Sequence, residues 1–61
     1  MTYPLASRIR YRDQPDHPAV GVIEGHTFNP ASEEWEYLVR WRDRGVRTQT
    51  AHFIHTEFEV Y

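Results

Sequence analysis

Apolar and polar residues alternate with a period of two through most of this chain, and this pattern predicts short β-strands. Residues 7–12 place arginines on one side and two apolar residues on the other. Residues 19–26 form a second predicted strand, rich in β-branched side chains. Gly21 and Gly25 within it indicate a bend, a bulge or the close approach of another backbone.

The strongest alternation lies in residues 34–42, which predict a third strand. One face of this strand carries Trp35, Tyr37, Val39 and Trp41, whereas Leu38 lies on the other face. Residues 43–45 form a short predicted turn, where Gly45 is free to adopt positive φ. Residues 46–53, which are rich in threonine, predict the fourth strand.

The remaining segments predict turns and a closing strand. Residues 27–33 form a connection around Asn29-Pro30, a pair typical of turns. Residues 54–57 are too few for a helix and suit one 3₁₀ turn. Residues 58–61 predict a fifth strand, with Phe58 and Val60 on one face.

These elements together predict an all-β fold, a small five-stranded barrel with a short 3₁₀ turn before the last strand. We find no stretch of about ten residues with helical periodicity and caps, which argues against a three-helix bundle. Residues 1–6 form an N-terminal lead-in, and residues 7–61 form the barrel domain.

The order of these segments resembles the SH3-like barrel family. Members often open with a strand of the Arg-x-Arg type, turn through Gly-Val-Ile, pair a long central hairpin, and close with a 3₁₀ turn and a Phe-Glu-Val strand. The resemblance extends from Ser7 to Tyr61 and implies the fold alone, because this fold supports many unrelated functions.

Within that superfamily, the run from Glu36 to Trp41 is similar to the Glu-Tyr-Leu-Val-Lys-Trp strand of chromodomains, which bind methyl-lysine in an aromatic cage. Trp41 matches a cage tryptophan. Arg44 stands where the second cage aromatic would fall, and residues 17–20, where the first would lie, contain no aromatic. The resemblance therefore implies a strand at residues 36–41, and we do not infer methyl-lysine binding from it.

Composition limits the possible functions. The chain has 61 residues, a mass of 7.3 kDa, no cysteine and a net charge of −2. A multidomain enzyme and a disulfide scaffold are excluded, and no run of apolar residues is long enough for a membrane span. The two Trp, four Tyr and three Phe supply large buried area for a core without covalent links.

All seven basic residues are arginines. Planar guanidinium groups suit phosphate, so a nucleic-acid-binding face is one interpretation; its residues are Arg8, Arg10, Arg12 and Arg47. The other interpretation is cross-strand pairing, with Glu57 and Glu59 beside the first strand and Glu24 or Glu36 beside Arg40. The acidic net charge favours pairing.

The sequence indicates neither a metal site nor catalysis. His52 and His55 lie at a strand end and not on a helix, and zinc sites need more protein ligands. Glu33, Glu34 and Glu36 favour a solvated strand entry, since a monomer of this size has little room for a catalytic pocket. We therefore expect no cofactor, no metal and no enzyme. A homo-oligomeric enzyme with a site at subunit contacts is an alternative.

The aromatic face of the third strand leaves two arrangements open. If Leu38 and Ile23 point into the core, an exposed patch forms from Tyr37, Val39 and Trp41, with Tyr11 or Phe28 as further aromatic members. If Trp35, Tyr37 and Trp41 form the core, Leu38 lies outside. Periodicity does not choose between these arrangements.

We expect a small cytoplasmic interaction module, a bacterial or phage accessory protein that docks on a protein partner. We expect a monomer or weak homodimer, the latter joined through an edge strand such as residues 58–61. The expected contact surface combines aromatic rings with flanking guanidinium groups; its residues are Trp35, Tyr37, Trp41, Arg40, Arg42 and Arg44.

Overall fold

The protein is described by a computed structural model covering residues 2–61. Met1, the first residue of the predicted lead-in, lies outside the described residues. The elements follow one another as β1 (Arg8–Tyr11), β2 (Gly21–Asn29), β3 (Glu34–Trp41), β4 (Gly45–Thr50), α1 (Ala51–Glu57) and β5 (Phe58–Val60).

The five strands form one antiparallel sheet in the order β4-β3-β2-β1-β5. The all-β prediction and its five strands are confirmed, with one short helix added. The sheet is not closed, so β4 and β5 are its edges. The sequence predicts a closed barrel, whereas the observed strand pairing leaves the sheet open between β4 and β5.

The β2–β3 hairpin is longer than the sequence predicts. Residues 27–29 continue β2 and pair with β3 as far as Asn29, opposite Glu34. Asn29 ends the strand because its side-chain Oδ1 accepts a hydrogen bond from Ala31 N at 3.0 Å, which starts the turn. The prediction that residues 27–33 form a loop is therefore wrong for its first three residues.

The predicted 3₁₀ turn is a seven-residue α-helix. It begins three residues earlier, since Thr50 Oγ1 accepts a hydrogen bond from Phe53 N at 3.2 Å and caps the first turn. Residues 51–53, predicted as strand, consequently belong to α1. The helix joins the edge strand β4 to β5 and covers the sheet with Ile54, which is fully buried.

The core lies between one face of the sheet and α1. Its buried side chains are Ile9, Ile23, Tyr37, Val39, Trp41, Ile54 and Phe58. A β-bulge between Ile23 and Gly25 changes which side chains of β2 face this core. Before the bulge, Ile23 lies on the core side of the sheet, opposite Val39. After the bulge, His26 and Phe28, which pair with Tyr37 and Trp35, lie on that side.

Candidate functional site

The outer half of the β2–β3 hairpin extends beyond the part of the sheet that α1 covers. Helix α1 reaches Tyr37, whose hydroxyl lies 2.7 Å from His55 Nε2. The next cross-strand pair on the same face as Tyr37, toward the turn, is Phe28 with Trp35. Side chains two residues apart on a strand share a face, so this pair continues the core side of the sheet past its cover.

Phe28 and Trp35 are exposed by 45% and 51%, respectively. Their ring centroids lie 5.5 Å apart with an interplanar angle of 66°, an edge-to-face contact. His26, which is also exposed, meets Trp35 edge-on at 6.2 Å. We call His26, Phe28 and Trp35 the arm patch.

Carboxylates lie at the same end of the hairpin as the arm patch. Glu33 lies in the turn, and Glu34 and Glu36 alternate with Trp35 along β3, so their side chains lie on the other face of the strand. Glu36 accepts a hydrogen bond from Asn29 Nδ2 at 3.1 Å, a neutral partner. Within residues 2–61, none of the three carboxylates forms an ion pair. The end of the hairpin is therefore both aromatic and acidic.

The predicted aromatic contact surface needs correction. Tyr37 is fully buried and Trp41 is 5% exposed, so both rings belong to the core. Packing explains this, because Val39 of the same face lies opposite the buried Ile23, Tyr37 packs on His55 of α1 and Trp41 packs on Phe58 of β5. The arrangement in which Trp35, Tyr37 and Trp41 form the core is therefore correct for Tyr37 and Trp41. Trp35 is exposed because it lies beyond the helix.

The predicted guanidinium groups lie far from Trp35. Trp35 and Trp41 are six residues apart on one strand, a separation of about 20 Å, and the arginines flank Trp41. Arg40 pairs with Glu24 through bonds of 2.7 and 3.1 Å, and Arg44 pairs with Asp43 at 3.1 Å. Arg42 is exposed. The residues expected to form one surface thus divide between two ends of β3.

The arginines of β1 are engaged within the fold. Arg10 pairs with Glu59 at 2.8 Å, and the guanidinium groups of Arg8 and Arg10 lie 4.8 and 4.2 Å from the centre of the Tyr61 ring. Arg12 donates two hydrogen bonds to the His55 carbonyl, at 3.0 and 2.8 Å. The cross-strand interpretation is confirmed for Arg10 with Glu59, and also for Arg40 with Glu24.

Arg47 does not join the β1 arginines. It lies on β4, at the opposite edge of the sheet, and donates to the carbonyl of its neighbour Val46 at 3.1 Å. The four arginines predicted as a nucleic-acid-binding set therefore do not form one continuous face.

The histidine positions give no metal site. His52 is exposed on α1, whereas His55 Nε2 is engaged by the Tyr37 hydroxyl. Among residues 2–61, no group of three or more His, Cys, Asp or Glu side chains could hold a metal ion. The part of the chain that the structure describes likewise contains no helix with the length and apolar character needed to cross a membrane.

A hydrogen-bonded chain holds the N-terminal segment to α1. Tyr3 N donates to the Tyr37 hydroxyl at 2.7 Å, and the Tyr3 ring lies 4.6 Å from the His55 ring. Because the Tyr37 oxygen accepts from Tyr3 N, its own proton can be donated to Nε2 of the neutral His55 tautomer that carries its proton on Nδ1. Burial lowers the pKa of His55, and positive groups nearby, including Arg12, act in the same direction.

Comparison with known proteins assigns no family: the chain matches no protein-family model, no curated protein and no solved structure. We therefore infer the function from the residues of the site. Sequence reasoning named Trp35 and treated Phe28 as a further member, but it placed Phe28 in a loop. The signal was the pair Thr27-Phe28, two strand-forming residues directly before Asn29-Pro30.

Proposed function

We propose that this protein is a non-catalytic interaction module that docks on a protein partner through the arm patch. The exposed Phe28–Trp35 pair is the observation that carries the proposal. The partner is a protein segment that presents a bulky apolar side chain next to arginine or lysine.

The exposed rings support binding because they add little to the core. Two large rings in contact at one end of a hairpin form a concentrated apolar surface, and Trp is the residue type most enriched at binding hot spots. The turn and the strand pairing hold the rings in place before binding, so little side-chain entropy is lost on contact.

The charge of the hairpin supports a basic partner. No arginine or lysine lies between Arg12 and Arg40, whereas this interval holds Glu33, Glu34 and Glu36 at the same end of the hairpin as the rings. Charges at the rim of an interface set the partner and accelerate association. The same carboxylates repel phosphate, which favours a protein partner over nucleic acid at this site.

We also propose that the fold is an SH3-like barrel. The strand order, the long central hairpin and the short helix before the last strand support this assignment. The assignment bears on architecture only, since the proposed docking site depends on the hairpin residues and not on family membership.

Selection of peptides from a displayed random library tests the proposed function. The wild-type protein is the bait, and Trp35→Ser is the matched counter-bait. We expect enrichment of sequences with arginine or lysine beside an aromatic or aliphatic residue. Selected peptides should lose at least about tenfold in affinity for Trp35→Ser, since a central aromatic contact contributes about 2 kcal/mol or more.

Phe53→Ser is the control variant, because Phe53 is also an exposed aromatic residue, at 40%, but lies on α1. Peptides selected on the wild type should bind this variant with unchanged affinity. Enriched peptides that bind Trp35→Ser as tightly as wild type would show that the arm patch is not the docking site.

A further inference from the structure

A second candidate site lies at the opposite end of β3, next to Trp41. A cavity of about 140 Å³ lies between the start of β2 and the turn that follows β3. Its lining consists of Tyr11, Val20, Trp41, Arg42, Asp43 and Arg44. The volume is that of about four or five water molecules, enough for a carboxyl group with an attached carbon or two.

The indole of Trp41 has an unmet hydrogen-bonding requirement. Its Nε1 is buried and has no hydrogen-bond partner in residues 2–61. The ring itself is held in the core, where it packs on Phe58 with centroids 5.4 Å apart. Buried polar groups in folded proteins nearly always have a partner, so the Trp41 N–H is a donor that an acceptor bound next to it would satisfy.

The side chains around this cavity are rich in donors and poor in acceptors. Arg42 makes no side-chain hydrogen bond or ion pair among the described residues. The Arg44 guanidinium lies 5.3 Å from the centre of the Trp41 ring and binds Asp43. The Asp43 carboxylate, the one acidic group of the lining, is thereby already engaged. A ligand here must bring acceptors and negative charge.

We propose that this cavity binds a carboxylate group. A carboxylate is planar and accepts paired hydrogen bonds from a guanidinium. Arg42 and Arg44 bind the anion, and Trp41 Nε1 donates to one of its oxygens. The carboxylate belongs either to a glutamate or aspartate side chain or to a free C-terminus.

Access requires a small rearrangement at the rim. The Trp41 Nε1 atom is covered in this conformation. Arg44 is the element that moves: its side chain is about half exposed and its pair with Asp43 is a surface pair. Such pairs contribute little to stability, so an anion competes with Asp43 for Arg44 at small cost.

Indole signals in ¹H–¹⁵N NMR spectra test this proposal directly, because the chain has two tryptophans and Trp35→Phe assigns them. The probes are acetate, acetyl-Gly-Glu-Gly-amide and acetyl-Gly-Gly-Gly with a free C-terminus, at constant ionic strength. Acetyl-Gly-Gln-Gly-amide is the neutral control. We expect a saturable shift of the Trp41 indole signal and none of the Trp35 signal, and the tighter peptide identifies the source of the carboxylate.

Two surface variants test the binding groups without disturbing the core. Arg42→Gln and Arg44→Gln should each raise the concentration for half-saturation about five- to tenfold, as expected for loss of a charged hydrogen-bond donor. Arg8→Gln, an exposed arginine of β1, should leave it unchanged.

The proposal is overturned by any of three results: no saturable Trp41 shift with any carboxylate, an equal shift with the glutamine peptide, or a half-saturation unaffected by both Arg42→Gln and Arg44→Gln. None of these results bears on the arm patch, which lies about 20 Å away along β3. Failure here is therefore distinguishable from failure of the proposed docking site.

Discussion

Gly21 has less space for a side chain than either of the other two glycines. It pairs with Ile9 on one side and Trp41 on the other. A Cβ added there would lie 2.9 Å from Val39 Cγ1 and 3.2 Å from the Arg40 carbonyl oxygen. The carbonyl is backbone and cannot move without shifting β3. The sequence left a bend, a bulge or a close approach open for this glycine, and the structure shows the close approach.

Gly21→Ala should lower the free energy of unfolding by about 1–3 kcal/mol, the usual cost of overpacking a core. Gly25→Ala is the matched control, because its Cβ would meet Leu38 Cβ at 3.7 Å, an ordinary contact. Urea titration measures both variants. Unfolding of both variants at the same urea concentration would contradict the inference that Gly21 has no space for a Cβ.

His55 couples folding to pH through a single side chain. Its neutral form accepts from the Tyr37 hydroxyl. A protonated His55 would donate to that oxygen, which already accepts from Tyr3 N, and would leave the hydroxyl proton without a partner. Both the geometry and the lowered pKa of His55 therefore favour the neutral imidazole in the folded state.

The stability of the protein should fall as the pH drops below about 6.5, the ordinary pKa of histidine. The unfolded chain binds the proton more tightly than the folded protein, so acid favours unfolding, and the contribution is complete only above that pH. Thermal unfolding between pH 5 and 8 measures how the stability depends on pH. His55→Gln should weaken this dependence and His17→Gln should not. An unchanged dependence in His55→Gln would contradict the assignment of the effect to His55.

At the scale of elements, α1 shows what periodicity cannot reveal. Four residues at its end looked like a 3₁₀ turn because residues 46–53 are rich in β-branched and aromatic residues, which favour strands. The hydroxyl of Thr50 decides the boundary by capping the helix, and the need to cover Ile54 stabilises it. A local cap and tertiary burial together override strand propensity here.

Thr50→Ala should destabilise the protein by about 1 kcal/mol, because the Phe53 N–H loses its acceptor. Thr50→Ser retains the hydroxyl and should remain within a few tenths of wild type. Chemical denaturation with detection by circular dichroism compares the two. Equal losses in the serine and alanine variants would show that the hydroxyl does not cap α1.

The arm patch marks the limit of prediction for the site. Strand parity correctly grouped Trp35 with Tyr37 and Trp41, but exposure depends on where α1 ends its cover, which no local pattern encodes. The β-bulge before Gly25 adds a second reason, since it changes the face of every later residue in β2. Phe28 meets Trp35 only because of that shift and the added length of β2.

At the scale of the whole molecule, the core and the end of the β2–β3 hairpin hold different aromatic residues. The rings of Tyr37, Trp41 and Phe58 fill the core, while Phe28 and Trp35 remain at the acidic end of a molecule 36 Å long. The arginines gather on β1 and at the far end of β3. This separation of rings and charges underlies the proposal that the hairpin end docks on a basic protein segment.

Mapping a bound peptide on the protein by ¹H–¹⁵N NMR tests this central claim most directly. The peptide is one selected on the wild-type protein and amidated at its C-terminus, so that it presents no terminal carboxylate to the cavity beside Trp41. The account predicts shifts concentrated in residues 26–36, with a large change in the Trp35 indole signal and none in that of Trp41. Shifts centred on β1 or on the turn after β3, with the Trp35 signal unmoved, would contradict it.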